Sequence, residues 1–426
     1  MITQTKFKQT EIGKIPEDWE IVKLADKIIH RKGFAFKSSE FQDAGHPIIR
    51  VSNFTDKSID LNNCNRLDFN KLSNYNEVKL KSEDVVIATV GSWPSNPKSI
   101  VGKVIKIPAE GDGALLNQNA VILRPVNSTL DNSFLFYRLR NQDFSDYLIS
   151  GAQGSANQAS ITLSSIFRFE FCLPSIKEQQ AIAKILSDLD SKIELNQKMN
   201  KTLEAIGQAL FKKWFIDERK ENWKDVKLGD FIVVERGLSY KGSGLNTTGI
   251  PMINLGNIAP NNHFRYDGLK FYSGNYRERN LVQPGDLIIA NTDITQKREI
   301  LGSCLIVPSD LGNDKIIFTH HIYVIRFINK DKILPKHFLS YLLQTKEFRE
   351  RATGFATGTT VLALPEDAIL NFKFAMPDKE KLTEFDRIIN YIKNKSSINI
   401  IETRNLSQIR DSLLPKLMSG EIRVKL

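Results

Sequence analysis

Trp19-Glu20-Ile21-Val22-Lys23-Leu24 returns as Trp223-Lys224-Asp225-Val226-Lys227-Leu228, and that echo organises the whole chain. Beyond the first stretch lie Gly33, Lys37, Pro47, Ile49 and Asn53; beyond the second lie Gly237, Lys241, Pro251, Ile253 and Asn257. Each matched pair is separated by the same 204 positions that separate Trp19 from Trp223. The register then slips slightly, as surface loops permit. Asp84-Val85-Val86-Ile87-Ala88 faces Asp286-Leu287-Ile288-Ile289-Ala290, and Val121-Ile122-Leu123-Arg124 faces Tyr323-Val324-Ile325-Arg326. A period of half the chain is far longer than the roughly 20 to 50 residues of a solenoid or propeller repeat. The chain is a duplicated domain.

Length and composition agree. With 426 residues and 41% hydrophobic content, the chain is long enough for several cores. Lys and Arg number 59 against 49 Asp and Glu, a formal charge of +10 that favours a polyanionic partner. Cys64, Cys172 and Cys304 stand apart, with no CxxC pair and no histidine at metal spacing, which argues against a zinc site or a disulfide framework. No segment approaches the ~20 apolar residues that span a bilayer, so a cytoplasmic protein with no membrane partner is expected.

After Pro174 the texture changes. Lys177 to Phe215 contains no proline and is rich in Glu, Gln, Lys and Leu at helical spacing. Its seam reads Ile182, Leu186, Leu189, Ile193, Asn196, Asn200, Leu203, Gly207, Leu210 and Trp214. A matching seam runs from Phe385 through Ile389, Ile392, Ser396, Asn399, Thr403, Leu406, Arg410 and Leu413 to Leu417, with Asn399 equivalent to Asn196. Polar seam residues weaken a coiled coil but fix its register and partner. Two arrangements fit: separate helices, each packed on its own domain, or a pair. Pairing is favoured, and an approximate two-fold axis would make the pair antiparallel.

The heads read as mixed α/β, of the α+β kind. Val85 to Val90, Ile100 to Ile107 and Ala120 to Leu123 are short β-branched runs bounded by turn residues, as are Leu287 to Ala290, Gly302 to Val307 and Ile322 to Phe327. Helical patterns at Ser133 to Ile149 and Lys336 to Ala352 close each head.

Motifs for catalysis are missing. There is no GxxxxGK[ST] phosphate loop, no HExxH, no GxSxG and no GxGxxG after a strand. His320 and His321 are adjacent, which rules out an i, i+4 metal pair. No catalytic residue and no metal site is expected.

Binding chemistry is better represented. Asn and Gln can bond bidentately to adenine, and Arg or Lys to guanine, when carried into the major groove. Three polar loops recur at matched places: Arg50 to Asn53 with Asn254 to Asn257, Ser92 to Lys98 with Asn291 to Arg298, and Asn117-Gln118-Asn119 with Thr319-His320-His321. The candidate DNA-binding residues are therefore Lys37, Arg50, Asn53, Ser92, Trp93, Lys98, Asn117, Gln118 and Asn119 in the first copy. In the second they are Lys241, Asn254, Asn257, Asn291, Thr292, Gln296, Lys297, Arg298, His320 and His321. Framework positions match while the loops differ, so the two copies would read two different half-sites.

Taken together, Ile15-Pro16-Glu17-Asp18-Trp19-Glu20, Phe171-Cys172-Leu173-Pro174 leading into Glu178-Gln179-Gln180-Ala181-Ile182-Ala183-Lys184-Ile185-Leu186, Leu210-Phe211-Lys212-Lys213-Trp214-Phe215, and Leu413-Leu414-Pro415-Lys416-Leu417-Met418-Ser419-Gly420-Glu421-Ile422 make a specific pattern. It resembles the DNA-specificity subunits of type I restriction-modification systems over nearly the whole chain. The resemblance implies two target-recognition domains on a bipartite asymmetric double-stranded DNA target, held apart by two helices acting as a ruler. It also implies two methyltransferase subunits docked on this scaffold, with restriction (motor and endonuclease) subunits joining for cleavage. S-adenosylmethionine, ATP and magnesium would belong to those partners and no cofactor to this chain. The resemblance links the Glu-Gln-Gln segment to methyltransferase docking, and the second copy has Asp378-Lys379-Glu380-Lys381 there instead.

The expected architecture is a pseudo-two-fold molecule: target-recognition domain 1 at residues 1–175, a central helix at 176–217, target-recognition domain 2 at 218–378 and a C-terminal helix at 379–426. Two similar α/β heads would be separated by an antiparallel coiled coil, with half-site centres about one helical turn, ~34 to 36 Å, apart. Two rivals belong to other classes. A self-sufficient DNA methyltransferase or nuclease would methylate or cut alone; a coiled-coil scaffold without a DNA role would show no salt-dependent DNA affinity.

Overall fold

The computed structural model describes residues 6–93, 99–155, 158–260, 262–294, 298–311, 315–328, 334–359 and 361–425. The chain divides into two compact units, one running to Leu195 and resuming at Glu402, the other spanning Asn196–Ile401.

The first unit is built around an antiparallel four-stranded sheet in the order Val104–Lys106, Val85–Ala88, Ala120–Pro125, Ile28–Lys32. Val85 to Ala88 are all buried, because successive side chains leave opposite faces of a sheet covered on both sides. Val85 and Ile87 pack with Phe134, Leu135 and Phe144 of the closing helices. Val86 and Ala88 pack with Ile49, Ile105 and Leu116 in a separate core. Each fully buried side chain of this size contributes about 1.5–3 kcal/mol. The unalternating apolar run is thus what a middle layer requires.

The layer beyond that second core is a small mixed sheet of Leu115–Leu116, His46–Ile49, Asn65–Leu67 and Phe41–Gln42, in which Leu115–Leu116 runs parallel to His46–Ile49. On the opposite face sit the helices Asn132–Arg140 and Gln142–Ser150. The single helical pattern expected from Ser133 to Ile149 is therefore two helices. Asn141 interrupts them in an extended conformation, and its side-chain amide donates to Asp143 at 2.9 Å. The second pattern divides likewise, into Lys336–Leu342 and Lys346–Gly354, with the Thr345 hydroxyl capping the latter by accepting from the Phe348 N–H.

The second unit repeats the plan. Cys304–Ile306, Leu287–Ala290, Ile322–Phe327 and Ile232–Arg236 form its middle sheet in the matching order. Leu287 and Ile289 again face the helices, while Ile288 and Ala290 face the outer sheet. That sheet keeps the parallel pair, Ile250–Ile253 beside Ile316–Phe318, and adds the edge strand Leu281–Val282. An ion pair ties the corners in both copies: Arg124 to Asp84 at 2.6 Å and Arg326 to Asp286 at 2.7 Å.

Two long helices complete the fold, Ile176–Phe211, continued by a π-turn at Lys212–Asp217, and Lys379–Ser419. Ser175 starts the first, its hydroxyl accepting from the Glu178 N–H at 3.4 Å. In the first unit the helices run antiparallel, with Lys192 paired to Glu402 at 3.2 Å and Asp190 to Arg410 at 2.8 Å. They are antiparallel in the second unit also: Lys393 meets Glu204 at 2.6 Å, and the Asn399 amide donates to Asn200 Oδ1 at 2.9 Å. The C-terminal helix stops at Ser419, and the chain folds back on its last turn, where the Ile422 N–H donates to the Lys416 carbonyl at 3.1 Å. Gly420 makes the stop at φ +73°, against Pro16, where a Cβ would collide.

Candidate nucleic-acid interface

In each head, loops far apart in sequence converge where the middle sheet meets the outer one. Gly33 permits this in the first head: a Cβ there would lie 2.0 Å from the Asn117 carbonyl oxygen. With glycine, Phe34 bridges to Asn117 in parallel, the Phe34 N–H donates to Leu116 at 2.9 Å and the Gln118 N–H donates to Phe34 at 3.0 Å. The Asn117 N–H donates to Ile49 at 2.9 Å and the Thr89 N–H to Asn119 at 2.8 Å. Gly237 does the same in the second head, where a Cβ would sit 2.4 Å from the Phe318 and Thr319 carbonyl oxygens. Leu238 then bridges to Thr319, and the Thr319 N–H donates to Ile253 at 3.0 Å.

The second head adds side-chain contacts. The Asn291 amide donates to the His320 carbonyl at 3.0 Å, the Thr292 hydroxyl lies 2.9 Å from His321 Nδ1, and Arg236 Nε donates to the His320 carbonyl at 2.9 Å. The two imidazoles lie 3.9 Å apart. Burial, with His320 and Arg236 nearby, holds the His321 imidazole below its ordinary value. Beside these loops lies a hollow of about 470 Å³ lined by Glu235, Arg236, Gly237, Ser239, Arg279 and His320. Arg236 stands 204 positions after Lys32 and keeps its positive charge, whereas Arg279 falls opposite Tyr75 at that spacing and left no signal in the repeat pattern.

The other candidates divide by burial. Lys37, Gln118 and Lys241 are exposed, and Arg50, Ser92, Trp93, Asn117 and Asn119 are half-buried. Arg298 is exposed and donates to the Thr353 carbonyl at 2.9 Å. Asn53, Asn254 and Asn257 are buried, with their amides committed to the frame. Asn53 Oδ1 accepts from the Arg50 N–H at 3.0 Å; Asn257 Oδ1 accepts from the Asn254 N–H at 2.9 Å while its Nδ2 donates to the Arg265 carbonyl at 2.8 Å. These two residues match across the copies because they close the same turn. Lys98, Gln296 and Lys297 lie outside the described residues.

The Glu-Gln-Gln segment also has an internal task. Gln179 is fully buried, donating to the carbonyls of Thr129 at 2.9 Å and Pro174 at 2.8 Å and accepting from the Asp131 N–H at 2.8 Å. Glu178 is buried against Trp19 and Arg423, leaving Gln180 as the exposed member. Among the described residues no cluster of three or more His, Cys, Asp or Glu could hold a metal ion, and no helix is long and apolar enough to cross a membrane.

This duplicated plan, two heads each with one convergent loop face, is that of a recognition scaffold. The sequence family described as type I restriction modification DNA specificity domain matches twice, over residues 16–205 and 220–409. The chain belongs to that family, whose members are DNA-recognition subunits and not enzymes. It is 26% identical over 452 aligned positions to the type I restriction enzyme MjaIX specificity subunit of Methanocaldococcus jannaschii, covering 99% of this chain and 98% of that one. To the HindI specificity subunit of Haemophilus influenzae it is 24% identical over 388 positions, 75% of this chain and 84% of the other. The crystal structure of a type I restriction-modification S subunit from M. genitalium shares the fold at a TM-score of 0.61 and 16% identity, covering 98% of this chain and 99% of that one.

Proposed function

We propose that each head lays its convergent loops into the major groove of one half of a bipartite, asymmetric DNA target. Residues 1–175 and 218–378 serve as the two target-recognition domains. One observation carries the reading: both copies bring the Gly33/Gly237, Asn117/Thr319 and Thr89/Asn291 segments together through the same backbone contacts, yet furnish them with different side chains. An identical frame with divergent loops suits two different half-sites.

Exposed cations divide the work. Arg31, Lys32 and Lys37 in the first head, and Arg236, Lys241 and Arg279 in the second, supply phosphate attraction. Gln118, Asn119, Arg298 and His320 stand where base edges can be read. The long helices set the distance between half-sites and carry two methyltransferase subunits, with restriction subunits joining for cleavage. S-adenosylmethionine, ATP and magnesium serve those partners, and the complex works on DNA in the cytoplasm.

Exchange of residues 220–376 for another head tests the reading. Sequencing of modified adenines, in cells carrying the chain with its partner methyltransferase, is expected to show one half-site altered and the other retained. A target unchanged in both half-sites, or changed in both, would contradict the reading.

A further inference from the structure

Phe34 is a large apolar side chain left 45% exposed at the centre of the first head's loop convergence. Its backbone is held on both edges, by Leu116 and by Gln118. Its ring rests edge-on against Phe36 at 5.2 Å and Tyr75 at 5.0 Å. Those two rings, 5.1 Å apart, pack on the core of Ile48, Leu67, Val78 and Leu115. The phenyl is therefore a fixed apolar prominence on an aromatic shelf, with Arg31, Lys32 and Lys37 exposed along the same stretch.

In a duplex the apolar feature that a major-groove reader meets on a base edge is the C5-methyl of thymine, and phenylalanine is among the side chains that contact it. We propose that Phe34 reads a thymine methyl group in the half-site bound by the first head. This deepens the DNA-reading proposed above and rests on it. At the same register of the second head, Leu238 packs with Tyr240 and Leu245 instead, and the neighbouring hollow is lined by Arg236, Arg279 and His320. The methyl dependence therefore belongs to one half-site.

The test uses the full chain with its partner methyltransferase and duplexes carrying the target found by methylation sequencing. Each thymine is replaced in turn by uracil, which removes only the methyl group. One position in one half-site is expected to lose about fourfold in affinity, the factor for burying one such group. Phe34→Ala should bind the thymine and uracil duplexes equally there, leave the uracil responses of the other half-site unchanged, and Phe34→Leu should restore part of the discrimination. Wild-type indifference to uracil throughout both half-sites, or discrimination that survives in Phe34→Ala, overturns the proposal while leaving DNA recognition standing. If Phe34→Ala loses all binding, Phe34→Leu decides: unreduced discrimination overturns the proposal, and reduced discrimination supports it. Absence of any sequence-dependent binding would sink DNA reading itself.

Discussion

Trp19 donates its indole N–H to the Glu178 carboxylate at 3.1 Å, inside the first head. Arg423 closes over the pair, its guanidinium 5.6 Å from the indole centroid and hydrogen-bonded to Glu178 at 2.6 and 2.8 Å and to Asp18 at 2.8 and 3.0 Å. That fork holds the Asp18 carboxyl below the usual carboxylate range. The second head solves the same problem differently: Lys381 stands 5.7 Å from the Trp223 ring, and Lys220 pairs with Asp378.

Arg423→Ala leaves the buried Glu178 carboxylate without its counter-charge. Removing one partner of a buried pair costs about 3–5 kcal/mol; because Arg423 is partly solvated, roughly 2–3 kcal/mol is expected here. Arg423→Lys should recover less than half of it, since an ammonium cannot fork across two carboxylates. Hydrogen exchange of peptides covering Trp19 measures the effect, and unchanged protection would contradict it.

Asp190 gathers Lys57 at 2.7 Å, Arg410 at 2.8 Å and the Tyr137 hydroxyl at 2.9 Å. Burial alone would raise its carboxyl, but the hydrogen bonds from Lys57, Arg410 and Tyr137 outweigh it and the group titrates below its ordinary value of 3.8. A lowered folded pKa contributes stability that is present above the unfolded value and lost as pH falls through the folded one. Resistance of the first unit to urea should therefore weaken as pH falls below about 4. Asp190→Asn should cost about 3 kcal/mol at pH 7 and flatten that acid slope. A slope as steep as wild type would refute the assignment.

Asn53 and Asn257 are expected to govern stability rather than base choice. Asn257→Ala removes the acceptor for the Asn254 N–H and the donor to the Arg265 carbonyl, a loss of roughly 1–3 kcal/mol. Thermal melting should drop while the methylated sequence stays the same at permissive temperature. A changed target would return these amides to the base-reading set.

Arg236 and Arg279 line the hollow of the second head and should meet phosphates. Log affinity against log salt is expected to flatten by about 0.9 for each phosphate contact removed. Affinity of Arg236→Ala and Arg279→Ala, measured across a salt series on the cognate duplex, provides the check. A slope equal to wild type in both variants would exclude phosphate contact.

Much of the fold was legible because duplication repeats what the backbone needs. Trp19, Gly33 and Asn53 recur as Trp223, Gly237 and Asn257 since each fills a position that the frame cannot vary, whether a sealed indole, a close approach or a closed turn. The apolar run at Val85 announced a strand for a similar reason, its two faces being claimed by two cores. The same logic applies to the candidate site. Recurrence marks shared structure, so the most faithfully repeated amides proved to be internal. Phe34, proposed to read DNA, has Leu238 at the same register of the second copy and so leaves no echo. Arg410 stands in the seam read from sequence, but its contact with Asp190 spans 220 residues and no local pattern records it.

The seal over Trp19 also sets an order of events during synthesis. Arg423 leaves the ribosome 245 residues after Glu178 and 405 after Asp18, whereas the second unit is one contiguous span from Asn196 to Ile401. The first head to be translated is thus the last to be completed. A chain cut short before Arg423 would hold every residue of the second unit but leave Trp19 and Glu178 of the first without their cap.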